Sequence, residues 1–167
     1  KREGLVTQGD YDHVTGVVNK FAVFLEANHF DLVFDLYNFR VEFLQFDDSV
    51  TIDEILATAK QKGLHRLSPV HALLFGICYP TLQRYYDLHF IHELLFEVSA
   101  EDLDEMPHRS LSGAGFTSDL PGKRYLVLSG ETNDGGRRDI RMSPLYEAPL
   151  YGGSRQMFGF RRSLPGR

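Results

Sequence analysis

Residues 37–63 read YNFRVEFLQFDDSVTIDEILATAKQKG, and two periodicities meet in them. Tyr37, Phe39, Val41 and Phe43 alternate with Asn38, Arg40 and Glu42. That two-residue period puts the apolar side chains on one face of an extended chain and predicts a half-buried strand over 38–46. At Thr51 the pattern changes. Thr51-Ile52-Asp53-Glu54 has the form of a capping box, in which the Thr51 oxygen accepts from the Glu54 amide while the Glu54 carboxylate reaches back to the Thr51 amide. Val50 is placed to staple onto Ile55, and Gly63 can take the left-handed conformation that closes a helix. The prediction is a helix over 52–62, directly after a strand.

Working outward, Ser68-Pro69 offers a second start, with Ser68 as cap and Pro69 in the first turn. This predicts a helix over 69–79, stopped by Pro80, with residues 80–84 as a short turn or single helical turn. Before the quoted stretch, Asp10 can cap a helix over 11–28, whose stripe is Val14, Val17, Val18, Phe21, Phe24 and Leu25. After it, His89–Val98 is apolar, short and uncapped, which reads as a buried strand. Residues 99–122 are acidic, then rich in Ser, Gly and Pro, and read as a long surface excursion. Tyr125–Leu128 and Asp139–Met142 flank Asn133-Asp134-Gly135-Gly136, a hairpin signature. A last strand is expected over Met157–Arg161, followed by a tail. The fold class is therefore α+β, with N-terminal helices packed on a mostly antiparallel sheet drawn from 38–46 and 88–161. Residues 1–167 form a single domain, with a helix-rich part (1–86), a β-rich part (87–163) and a tail (164–167).

The 167 residues include 13 Phe and 8 Tyr but no Trp, so an aromatic-rich core is expected within one domain. No run of about 18–20 apolar residues occurs, and no apolar segment follows the N-terminal Lys-Arg-Glu-Gly, so a cytoplasmic protein with no membrane association is expected. Cys78 is the sole cysteine, which excludes an intrachain disulfide and a multi-cysteine zinc site. Charge is unevenly spread. Residues 1–120 hold 9 Lys/Arg against 19 Asp/Glu, a net of −10, whereas residues 121–167 hold 9 against 4, a net of +5. Such asymmetry fits either an anionic partner or pairing between the two regions.

The stretch from Val41 to Arg84, with its strand, capped short helix, Gly63-Leu64 turn, second helix and Tyr79-Pro-Thr-Leu-Gln-Arg84, resembles a group of small proteins from candidate-phylum bacteria and related mobile elements. The likeness extends over about 38–163. It implies a buried strand and a β-rich tail and brings no known activity. The family's Arg-Pro-Ala after its first helix is His65-Arg66-Leu67 here, and its Trp-rich last strands have no Trp counterpart. The closing Gly159-Phe160-Arg161 also resembles the final strand of C-type-lectin-like and formylglycine-enzyme-like folds, which implies a recognition surface built on irregular loops.

Five constellations bear on chemistry. His89 and His92, with Glu93, are the candidate metal ligands, but an i/i+3 pair on a strand points to opposite faces, and no HExxH spacing supports them, so no metal and no cofactor is expected. Cys78 and His71 lie two helical turns apart, about 10 Å, which reads as core packing rather than a nucleophile pair. Ser112-Gly113-Ala114-Gly115 lacks the Lys and the helix of a phosphate loop. Asp47-Asp48 precedes a helix, and Glu101-Asp102-Asp104-Glu105 reads as a solvated turn. Arg137, Arg138, Arg141, Arg155 and Arg161 are interleaved with Tyr146 and Tyr151, a composition suited to protein interfaces or stacked nucleic acid. The expected function is non-enzymatic recognition or assembly. Those seven residues, with loops 99–122 and 143–156, would bind a protein or acidic partner. A small metal-dependent enzyme with a His/carboxylate pocket and a nucleic-acid-binding accessory protein are the alternatives.

Overall fold

The computed structural model describes residues 13–14, 39–93, 95–101, 122–130, 138–145 and 152–164. In chain order the elements are β1 (His13–Val14), β2 (Phe39–Leu44), α1 (Ile52–Gln61), α2 (Pro69–Cys78), α3 (Leu82–Tyr85), β3 (Asp87–Phe90), β4 (Phe96–Val98), β5 (Gly122–Gly130), β6 (Arg138–Pro144) and β7 (Gln156–Ser163). The strands form one sheet in the order β1-β6-β5-β3-β7-β2, with β4 also on β5. Pairing is antiparallel except for β1 with β6 and β3 with β7. The fold is α+β, with strands dominating the later half.

Local chemistry accounts for both longer helices. At α1 the Glu54 amide donates to Thr51 Oγ1 (3.2 Å) and the Thr51 amide donates to Glu54 Oε2 (2.7 Å), the reciprocal bonds of the capping box. The Thr51 amide, and then its hydroxyl, hold the Glu54 carboxyl below the usual carboxylate range. The helix closes on Gly63 at φ 68°, with Leu64 N–H donating to Ala59 O and Gly63 N–H to Lys60 O. These two bonds satisfy carbonyls that a helix end leaves open. At α2 the His71 amide donates to Ser68 Oγ (3.3 Å), Pro69 occupies the first turn, and Pro80 follows the cap.

The sheet carries apolar side chains on both faces, since alternate residues of one strand join different cores. Leu88, Phe90, Leu126, Leu128, Ile140 and Met142 pack with Ala72 and Leu73 of α2. Tyr125, Val127, Phe158 and Phe160 pack with Ile55 and Ala59 of α1 and with Leu64. The sheet is thus the middle layer, with α1 on one face and α2 on the other. Val50 joins the α1 side, as the expected staple requires.

Two expectations need correction. The helix over 11–28 does not hold at His13–Val14, which pair with Asp139 and Ile140; its other residues lie outside those described. β-branched Val14 suits an extended chain, and the open edge of β6 offers backbone partners that helical spacing does not register. The single strand over 89–98 is interrupted. Phe90 sits opposite Leu126 and Phe96 opposite Arg124, so six residues of chain are set against two of β5. Inside this excursion the buried His92 ring takes the role of a strand carbonyl, its Nε2 accepting the Leu126 N–H at 3.3 Å. An imidazolium, carrying a proton on both ring nitrogens, could not accept there. Replacing His92 by leucine should cost about 1–3 kcal/mol, because a buried N–H loses its acceptor, and His92→Gln should recover part of the loss. Urea unfolding measures the difference, and fast hydrogen exchange at Leu126 in the leucine variant locates it.

The expected hairpin is present: β5 and β6 pair from Arg124↔Pro144 to Gly130↔Arg138. Its turn, 131–137, lies outside the described residues, as does most of the 99–122 excursion. The last strand runs to Ser163 and pairs with β2. There Arg40 sits opposite Arg162, and Glu42 offsets the like charges. Glu42 accepts from Arg162 Nε at 2.6 Å and Nη2 at 3.1 Å, and from Arg40 Nε at 2.7 Å. The Arg162 hydrogen bond holds the Glu42 carboxyl below its ordinary value, so what this triad contributes is present at neutral pH and lost as pH falls through that lowered value.

Candidate functional site

The expected Arg/Tyr face divides in the fold. Arg155 precedes β7 and is exposed; its Nη2 donates to Gly130 O at 3.4 Å, and its carbonyl accepts the Asp87 N–H at 2.8 Å. Arg138, half-buried, stands opposite the same Gly130. These two arginines therefore meet at one end of the sheet. Arg161 lies six residues further along β7, about 20 Å away at strand rise, paired with Val41 and bridged to His65. Arg141 is placed by its backbone opposite Val127. Arg137, Tyr146 and Tyr151 lie outside the described residues.

The end bearing Arg138 and Arg155 also gathers residues the sequence reading passed over. Gln83 of α3, fully buried, donates through Nε2 to Ser129 O at 3.4 Å, so α3 and Arg155 grip the last two residues of β5. This docking turns the neighbouring Arg84 and Tyr85 outward. Tyr85 is 61% exposed, and Tyr79, at the start of the turn into α3, is 59% exposed. They are two of the three exposed large apolar side chains among the described residues, Leu164 being the third. Tyr79 is braced against Phe75 at a ring separation of 4.8 Å. A possible signal was the Tyr79-Pro80-Thr81-Leu82-Gln83-Arg84-Tyr85-Tyr86 run, in which three tyrosines exceed what one short helical turn can bury.

The second candidate is a cleft of about 290 Å³ beside Arg161, lined by Leu56, Ala59, Lys60, Leu64, His65, Arg66, Glu93 and Phe160. Arg66 donates through Nε to Ile91 O at 2.9 Å, and Arg161 through Nε to Arg66 O at 3.2 Å. Both guanidinium groups are thus oriented by backbone carbonyls.

The histidines proposed as metal ligands are engaged separately. His89 Nδ1 lies 3.0 Å from Tyr125 Oη and its ring stacks on Phe158 at 4.9 Å, whereas His92 is bonded to the β5 backbone. Among the described residues no group of three His, Cys, Asp or Glu is placed to hold a metal. Cys78, expected in the core, is exposed at the end of α2, while His71 Nδ1 lies 2.8 Å from Ser68 Oγ. Asp47 and Asp48 are exposed before α1, where the helix dipole favours negative charge. No helix among the described residues is long and apolar enough to cross a membrane.

The comparisons with known proteins supply no class for this arrangement: no family model, curated protein or solved structure matches the chain.

Proposed function

We propose that this chain is a non-enzymatic recognition or assembly protein that docks an acidic segment of a protein partner on the Arg/Tyr end of its sheet. The observation supporting this reading is that Gln83 and Arg155 dock on the last two residues of β5, leaving Arg84 exposed beside two tyrosines more than half exposed, Tyr79 and Tyr85. Arginine and tyrosine are the side chains that carry most binding energy at protein interfaces, because each offers a large, stiff contact area with a polar tip. Arg138, on β6 opposite Gly130, adds a third cation at this end. The proposed surface differs from the expected one in taking Tyr79, Arg84 and Tyr85 from the α2–α3 corner rather than the C-terminal region.

A fluorescent peptide of alternating Asp and Glu with one central Tyr provides the probe. Binding measured by anisotropy should fall steeply with added salt. It should weaken at least tenfold in the Arg84→Glu/Arg155→Glu variant, as expected when cations facing an acidic segment are reversed. Tyr85→Ala should weaken it at constant charge. Equal affinity for the peptide in wild type and the double variant would sink the proposal. Tighter binding of a single-stranded oligonucleotide of equal charge would move the assignment to nucleic acid.

A further inference from the structure

The cleft at the opposite end of β7 has a different chemistry, and its origin lies in the topology. β3 pairs with β7 only as far as His89↔Phe158, so the rest of that β7 edge lacks a β3 partner. The chain leaving α1 fills it, with His65 and Arg161 exchanging backbone hydrogen bonds at 2.9 and 2.8 Å. Arg66 then reaches across to the Ile91 carbonyl where β3 has left the sheet. What remains between α1, this segment and the 91–93 turn is the 290 Å³ cleft.

Its floor is apolar and comes from three elements: Leu56 and Ala59 of α1, Leu64 after the helix, and Phe160 of β7. Its rim carries both signs. Arg66, fixed through Nε, keeps its two terminal nitrogens for another acceptor, and Lys60 stands exposed in the last turn of α1. Glu93 is exposed on the same rim. None of these three charges ion-pairs with a described residue, although they share one small cleft.

We infer that this cleft binds a free amino acid with a large apolar side chain. The guanidinium fork of Arg66, with Lys60, receives the α-carboxylate, the geometry in which arginine binds carboxylates most strongly. Glu93 receives the α-ammonium. The side chain lies on Leu56, Leu64 and Phe160. The volume is at the lower end for small-molecule sites, which suits a ligand of this size and is too small for a nucleotide. Two cations against one carboxylate also disfavour a simple amine. The inference extends beyond the protein-docking reading, since it concerns a separate site and shares no residue with it.

The test is a titration of isotope-labelled protein followed by NMR, using L-leucine and L-phenylalanine as probes. Isocaproate is leucine without its ammonium, and isoamylamine is leucine without its carboxylate. Leucine or phenylalanine should give saturable shifts at Leu56, Ala59, Leu64 and His65. Each single-charge analogue should bind about tenfold more weakly, the usual scale of one charge-assisted contact. Lys60→Gln and Arg66→Gln should each reduce affinity for both leucine and isocaproate. Glu93→Gln should equalise leucine and isocaproate. Lys60 and Glu93 are exposed, so these two variants remain informative if Arg66→Gln unsettles the 64–66 segment. No saturable shift with either amino acid would overturn the inference. So would isocaproate binding as tightly as leucine to wild type.

Discussion

Gly152→Ala should lower stability by about 3 kcal/mol or more, because two separate penalties fall on one methyl group. Gly152 sits at φ 133°, a conformation that side-chain-bearing residues rarely adopt. A Cβ there would also run into the carbonyl oxygen and carbon of Asp48, which are backbone atoms and cannot rotate away. The surrounding turn is held from several sides. Gly153 N–H donates to Phe46 O (2.8 Å), Gln45 Nε2 to Ser154 O (2.8 Å), and Gly152 N–H to Gln156 Oε1 (3.0 Å). Moving the turn to admit the methyl would break these bonds and shift Arg155, which follows it. Gly153 provides the control: its φ is 109°, but a Cβ there meets nothing within 4 Å. Gly153→Ala should therefore cost only the backbone strain, and the difference between the two variants in urea unfolding measures the collision. Equal losses would mean the collision contributes nothing.

The second large effect lies where β3 and β7 run parallel. Phe90 is fully buried, and its ring lies over Gly159. A Cβ on Gly159 would come within 2.5 Å of Phe90 Cε1 and 3.0 Å of Phe43 Cε1. Phe43, Phe75 and Phe90 form a mutual ring cluster, with centroids 5.4–6.1 Å apart. Phe90→Ala should cost about 3–5 kcal/mol, since a large ring leaves a cavity its neighbours cannot close. Gly159→Ala alone should cost about 1–3 kcal/mol by overpacking. In the Phe90→Ala background the same methyl enters the vacated space and should become neutral or stabilising. A double-mutant cycle reads this as a coupling of about 1–3 kcal/mol. Strict additivity of the two changes would mean that the ring does not rest on the glycine.

Both cases bear on what could be foreseen. Gly152-Gly153 was recognisable as part of an irregular stretch, but nothing local says that its partner is Asp48, over a hundred residues away. Gly159 falls inside the expected last strand; its use as a seat for Phe90 depends on β3 lying beside β7, a pairing no turn signal encodes. The proposed surface followed the same rule. Arg155 and Arg138 were identified by composition, yet their meeting at Gly130, and their separation from Arg161, are results of strand order. Tyr79, Arg84 and Tyr85 were missed because the 80–84 turn was read for its conformation and not for what its docking would leave exposed. Lys60, Arg66 and Glu93 share one cleft only because β3 ends early.

What the amino-acid order determined by itself is the set of features written within one turn of chain. These are the Thr51–Glu54 box, the Gly63 stop, the Ser68-Pro69 start, the alternation through Val41 and Phe43, and the hairpin flanks around residues 133–136. Each rests on steric and hydrogen-bonding preferences acting over a few residues, so no distant partner is needed to read it. Only the tertiary structure decided the strand order, the break between β3 and β4, the extended state of His13–Val14 and the grouping of charges at the two ends of β7. Those depend on which backbone edge and which apolar face come together across the chain, and burial rewards many such pairings almost equally until the whole sheet is assembled.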